Sequence, residues 1–307
     1  MVYFYNAIAE KVVKVYPDVL FTGQAYDVYR APPVRQKLHP NIVIRFVHSP
    51  VHYASDEVRR EGMEDWDAWA DAAGIIYYRP NSLLWDQHEG TLGVYVHKLA
   101  EDFHHIAHNK CVGTDFDSCV HNWATQGLNY YVLAKLHWNP ELDVDKLVDD
   151  YCRSGFQEAS EQIKQYLLRI EQLTGQTAAE KRDGGETGVD VTGPYTPQVI
   201  AELRTILDAA DKAAGDSSTV RKRIAFLRLG LDFTELQAKI YRMLALAQQR
   251  QLSAAEKNEA RQLLDQKWLM MRNIFQQEHF AVNVAALCWG EWERFKRLGW
   301  TGPSSQP

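Results

Sequence analysis

Several common chemistries have no footing in this sequence. There is no Gly-rich phosphate loop, no GxSxG elbow and no HExxH helix, so phosphoryl transfer, serine hydrolysis and zincin chemistry lose their usual supports. No apolar run approaches the roughly 20 residues of a membrane-spanning helix, so no membrane partner is expected. Four cysteines (Cys111, Cys119, Cys152, Cys288) are scattered without a CxxC pair, which reads as free buried thiols. The opening MVYFYNAIAEKVVKVYP lacks a basic leader, a continuous apolar stretch and a small-residue cleavage site, so no signal peptide is read there and the compartment stays open. Basic charge is short as well. The net charge is −6 and the pI about 6.0, which argues against nucleic acid as a partner, and the run Arg221-Lys222-Arg223 reads as a solvated helix face.

What remains is an ordinary globular composition, 307 residues of which 46% are hydrophobic and 24% charged. The two halves differ. Residues 1–150 carry 21 acidic and 13 basic residues, a balance of −8, together with 21 of the 35 aromatic residues. An acidic, aromatic-rich half suits a neutral polar ligand such as a sugar better than a phosphate backbone.

Periodicity divides the chain in the same place. Ile8, Val12, Val13 and Tyr16 recur at helical spacing almost from Met1 with no N-cap before them, the look of a segment continuing a longer chain. Val19–Tyr26, Asn41–His48, Gly74–Asn81 and Lys110–Asp117 are short β-branched or aromatic runs that read as buried strands. Helical patterns over Glu57–Ala73 and Tyr95–His108 separate the later ones, while Arg30–Pro40 shows none. Alternation of this kind predicts a parallel sheet. After Asp117 no strand signal returns. Helices are predicted over Asn122–Trp138, from the Asp143 cap, over Ala159–Leu173, from Thr196-Pro197, and at about 217–250, 253–277 and 279–298, with 176–195 as a Gly-rich loop.

Half of an eight-stranded barrel followed by a helical domain produces this pattern, and so does a small open α/β sheet whose edges later helices cover. The fold expected is α/β: a partial (β/α) TIM-type barrel of about four strands over 1–138, connecting helices over 139–175, a flexible loop over 176–195 and an all-α domain over 196–307.

Three blocks carry a resemblance: FYNAIAEKVVKVYPDVLFTGQAYDVYRAPPVRQKLHPNIVIRFV, then VHKLAEDFHHIAHNKCVGTDFDSCVHNWATQGLNYYVLAKLHWNPELDVDKLVDDYC, then GFQEASEQIKQYL. In this order they resemble the C-terminal part of the bacterial domain of unknown function 4838 across roughly residues 3–175. That family is similar to barrel-type glycoside hydrolases near hexosaminidases and α-glucuronidases. The resemblance implies a carbohydrate ligand, and members with an upstream domain and the first half of a barrel before the equivalent of Met1.

In a barrel, function gathers at the C-terminal ends of the strands. Those ends supply Gln24, Tyr26 and Tyr29; His48 and His52; Arg79 and Asn81; and Asp115, Asp117 and Ser118. Glycoside cleavage needs two carboxyl groups. Asp115 and Asp117 are the catalytic candidates; the competing reading is that one of them caps the helix beginning near His121. Tyr26, His48, Arg79, Asn81, Trp85 and Trp123 are the substrate-binding candidates. The two indoles offer stacking planes for a sugar's CH face, Trp123 equally reads as a helix-face core residue, and Arg79 on an apolar strand needs a carboxylate from the protein or the substrate, which a structural salt bridge to Asp115 would supply just as well.

His97, Glu101, His104 and His108 share one helix face, which superficially suggests a metal site, but that face must also meet solvent; no metal and no cofactor are expected. Two function classes follow. One is a glycoside-hydrolase-like, carbohydrate-active protein. The other is a non-catalytic, partner-dependent subunit, its open sheet edge covered by a protein partner or a second copy, or a truncated product lacking the first half-barrel.

Overall fold

The computed structural model describes residues 1–49, 52–81, 90–117, 121–177, 179–181, 187–190, 192–285, 287 and 296–302. Four strands, β1 (Phe21–Ala25), β2 (Ile42–Phe46), β3 (Ile75–Tyr78) and β4 (Cys111–Thr114), form one parallel sheet in the order β1-β2-β3-β4. Helix α1 (Val2–Val12) precedes β1, α2 (Asp56–Ala72) joins β2 to β3, and α3 (Val96–His108) joins β3 to β4. As the proline-rich segment suggests, only a 3-10 turn at Asp27–Tyr29 lies between β1 and β2. Later helices among the described residues include α4 (Trp123–Trp138), α5 (Val144–Phe156), α6 (Ser160–Thr174), α7 (Pro197–Ala213), α8 (Ser218–Gln249) and α9 (Ala254–Gln277).

Helix starts follow their caps. Ser55, Asp143, Thr196, Ser217 and Ser253 each accept a hydrogen bond from a first-turn backbone N–H, and Ser253 with Glu256 completes a capping box.

Among the described residues the sheet is fully covered on one side only. Ala25, Ile42, Ile44, Phe46, Ile76 and Tyr78 are buried beneath α1 and α2, with Ile106 of α3 in the same core. Trp66 of α2 is the centre of that layer, edge-to-face with Phe46 (centroids 5.7 Å, 85°) and with Tyr78 (5.6 Å, 90°). On the opposite side Thr22 and Gln24 are exposed, Val43, Arg45, Ile75 and Tyr77 are half-buried, and Val112 is 64% exposed. Fully parallel sheets normally have both faces covered. Among the described residues no pairing joins β4 back to β1, so the sheet is open, and the architecture is mixed α/β with a four-stranded parallel sheet beside many helices.

A second core runs from Leu92 through α3, α4, α5, α6 and α7 to Ala238 of α8. Leu92 is bound at both ends of its peptide unit, its N–H donating to Thr234 (3.0 Å) and its C=O accepting from the Tyr195 hydroxyl (2.7 Å), so the entry to α3 is fixed against the later helices.

Two expectations are corrected. Strands do return after Asp117, as an antiparallel pair β5 (Ala179–Lys181) and β6 (Thr187–Val189); their sequences AEK and TGV are too short and polar to show alternation. The first helix ends before Tyr16 and buries Val2 and Ala9, while Ile8 is 39% and Tyr16 64% exposed. It seats on β1 through Tyr5, whose ring fills the space a Cβ at Gly23 would need (2.6 Å). Of the helix predicted at 279–298, residues 279–282 form turns and a bend instead, 284, 285, 287, 296 and 297 are helical, and 286 and 288–295 lie outside the described residues.

Candidate functional site

The strand ladder continues past the strand ends. Val47 N–H donates to Ala25 O (3.0 Å), Arg79 to Phe46 (2.9 Å), Asp115 to Tyr78 (2.9 Å) and Asp117 to Pro80 (3.1 Å). Because the chain stays extended through this row, Asp115 and Asp117, two residues apart, project to the same side. Both meet guanidinium groups there. Arg45 donates to Asp115, Arg79 donates to Asp117, and Arg79 Nε lies 3.7 Å from Asp115 Oδ2. Arg79 also donates to Asn81 Oδ1 (3.0 Å). The result is a charge-balanced rim of two arginines and two aspartates, with Arg79 shared between the carboxylates.

This rim opens to solvent. The side chains of Asp115, Asp117 and Arg45 are 45%, 37% and 29% exposed, so all three can reach a ligand without rearrangement. Next to Arg45 in the β1–β2 register sits Gln24. Tyr26 follows β1 and is 46% exposed, and the chain turns at Asp27, whose φ of 51° is one that L side chains rarely adopt. Asn81 is buried against Arg79 rather than open to solvent. Trp123 stands at the start of α4, 43% exposed and edge-to-face with Tyr130 (4.9 Å, 75°). Trp85 and Ser118 lie outside the described residues.

His48 departs from its expected role. It is 2% exposed with both ring nitrogens engaged: Nδ1 donates to Ser49 O and the Tyr78 hydroxyl donates to Nε2, each at 2.8 Å. It stacks on His52 (3.9 Å, 15°), which is also buried and donates from Nε2 to Asp102 Oδ2 (2.7 Å). Asp102 of α3 is 2% exposed and accepts in addition from Arg59 Nε of α2 (2.8 Å). His52 Nδ1 faces Gly62, where a Cβ would lie 2.8 Å away, and finds no partner among the described residues. Both histidines are buried in the protein interior.

Burial holds His48 well below the ordinary histidine range, aided by its neighbour His52, and burial lowers His52 despite the Asp102 contact. Arg59, raised by Asp102 and Glu101 against the cost of its burial, carries the positive charge that balances Asp102. At the start of α3 the sign reverses. His97 donates to Glu171 Oε2 (2.7 Å), and that carboxylate, with help from Asp145, lifts His97 to about 9.

These shifts fix a stability profile. A raised histidine stabilises the fold fully below its unfolded value of 6.5, and that contribution is lost as pH rises toward 9. The lowered His48 and His52 act oppositely, since the unfolded chain takes up their protons first as pH falls below 6.5. Urea unfolding across pH should therefore show stability declining on both sides of about 6.5, and His97→Gln should remove the slope on the alkaline side only.

The sequence singled out Asp115, Asp117 and Arg79, and the structure brings them together. It did not single out Arg45, although NIVIRFV presents the same signal as Arg79, a lone cation on an apolar strand.

Against known families, residues 1–168 match the family described as Domain of unknown function (DUF4838). No curated protein and no solved structure matches the chain.

Proposed function

This chain belongs to the DUF4838 family, and from that premise we propose that it is a carbohydrate-active protein of glycoside-hydrolase-like descent, its sugar contacts lying on the Arg45–Asp115–Arg79–Asp117 rim. The rim is the observation that carries the reading. Alternating guanidinium donors and carboxylate acceptors match a ring of hydroxyl groups, each of which donates and accepts. Tyr26, just after β1, adds an exposed aromatic face for the sugar's CH face, with Gln24 beside Arg45 at the margin. Strands in sequential parallel order, with helices on one face, are also what part of a barrel would give, and barrel sites lie at this end.

In hydrolysis Asp115 and Asp117 are the carboxylates that would face the reacting centre. Replacing each by asparagine keeps the shape and removes the charge. Asp115→Asn and Asp117→Asn should each lower turnover of a cleavable glycoside by about a hundredfold or more, with the unfolding midpoint little changed. Undiminished turnover in both variants would remove the two residues from the reaction.

One observation favours the binding-only reading. A general acid usually holds its proton in apolar surroundings, and both carboxylates meet arginines instead. On that reading the bare sheet face packs against a protein partner or a second copy, and the full chain binds sugar without cleaving it.

A further inference from the structure

Far from the rim, the polar face of α3 ends in a three-residue cluster with a different chemistry. His104 and His108, four residues apart, lie on one face with ring centroids 4.6 Å apart. Glu141, from the turn between α4 and α5, places one carboxylate oxygen against each ring: Oε2 is 3.0 Å from His104 Nε2 and Oε1 is 3.0 Å from His108 Nε2. The backbone N–H of Glu141 donates to Asn139 Oδ1 (3.0 Å), which fixes the turn that presents it.

The protons matter here. His108 Nδ1 lies 2.8 Å from the backbone oxygen of His104, and a carbonyl only accepts, so that nitrogen carries the hydrogen. In the neutral ring Nε2 then bears a lone pair aimed at a carboxylate oxygen. Two acceptors face each other at 3.0 Å only with a cation between them, either a second ring proton or a metal ion. A histidine whose far nitrogen donates to a carbonyl is also the usual arrangement for a metal ligand, since that bond fixes the tautomer and the ring's orientation.

We propose that His104, His108 and Glu141 form a divalent transition-metal site of the zinc class. The potential ligand atoms all lie within 4.8 Å of one another. Two atoms each about 2.1 Å from one ion are at most about 4.2 Å apart, a contraction that small side-chain rotations supply. Two imidazoles and one carboxylate suit zinc, nickel or copper better than magnesium or calcium, which prefer all-oxygen ligands. All three side chains are more than half exposed, so water completes the coordination.

The location sets the role. His108 ends α3, and β4 begins three residues later, so the cluster sits at the N-terminal end of the strands, opposite the rim. An ion there clamps the end of α3 to the α4–α5 turn, a function of stability. The other residues on this face are committed elsewhere: His97 to Glu171 and Asp145, and Glu101 to Arg59. His105, on the adjacent face, pairs with Asp67.

The test is titration of the full chain, freed of metal by chelation, with Zn²⁺ alone, followed by calorimetry and by the thermal midpoint. One ion should bind with a Kd below about 10 μM, and saturation should raise the midpoint by several degrees. His108→Ala and Glu141→Gln, both surface changes, should each weaken binding at least about tenfold, while His105→Ala should leave it unchanged. Absence of saturable binding, or equal binding in the Glu141→Gln and wild-type chains, would overturn the proposal. So would an equal loss in His105→Ala, which would mark scattered surface histidines as the binders.

Discussion

Asp102→Ala should cost about 3–5 kcal/mol of folding stability, read from urea unfolding at pH 7. The carboxylate is buried and holds two cationic or polar groups at once, His52 and Arg59, drawn from the loop after β2 and from α2. Removing it leaves the largely buried guanidinium with only the exposed Glu101 carboxylate (2.7 Å) as counter-charge, and His52 without an acceptor. The cost is dominated by those orphaned partners, so Asp102→Asn, which can still accept from one of them, should recover part of it. A loss below about 1 kcal/mol in the alanine variant would mean that water reaches Arg59 freely and that the network holds nothing together.

Trp66→Ala should cost a similar amount, about 3–5 kcal/mol, for a different reason. The indole is completely buried between Phe46 and Tyr78, and its removal opens a cavity under the strand ends that carry the rim. Its Nε1–H has no hydrogen-bond partner among the described residues. Phenylalanine keeps most of the apolar volume and discards that unpaired donor, so Trp66→Phe should cost only about 1–2 kcal/mol. Equal losses in the two variants would show that the cavity does not set the stability here.

The sheet was legible because its strands are buried on one face and enriched in β-branched and aromatic residues: VLFTGQAY, NIVIRFVH, GIIYYRPN and KCVGTDFD each contain the strand observed. Caps were equally clear, since Ser253 with Glu256 and Thr196 before Pro197 act locally. What stayed hidden is long-range. Arg45 and Asp115 are 70 residues apart, and nothing in either segment points to the other. His104 and His108 were visible as a pair, but Glu141 reaches them only once α3 and the α4–α5 turn have packed. The periodicity of α1 misled because its apolar residues exceed what one sheet edge can cover, so Ile8 stays at the surface while the small Ala9 is buried. His48 misled differently. A polar residue at a strand end reads as a ligand contact, yet Tyr78 and Ser49 satisfy both its nitrogens inside the core.

The central question is whether the rim holds sugar. The direct measurement is the thermal midpoint of the full chain against neutral, amino and acidic sugars, repeated with Asp117→Asn. One sugar class should stabilise the wild-type chain, by about 2.7 kcal/mol at a hundredfold excess over Kd, and the variant should lose that gain while melting normally without ligand. A midpoint unmoved by every sugar, or a shift that survives in Asp117→Asn, would contradict the assignment of the Arg45–Asp115–Arg79–Asp117 rim as the carbohydrate site.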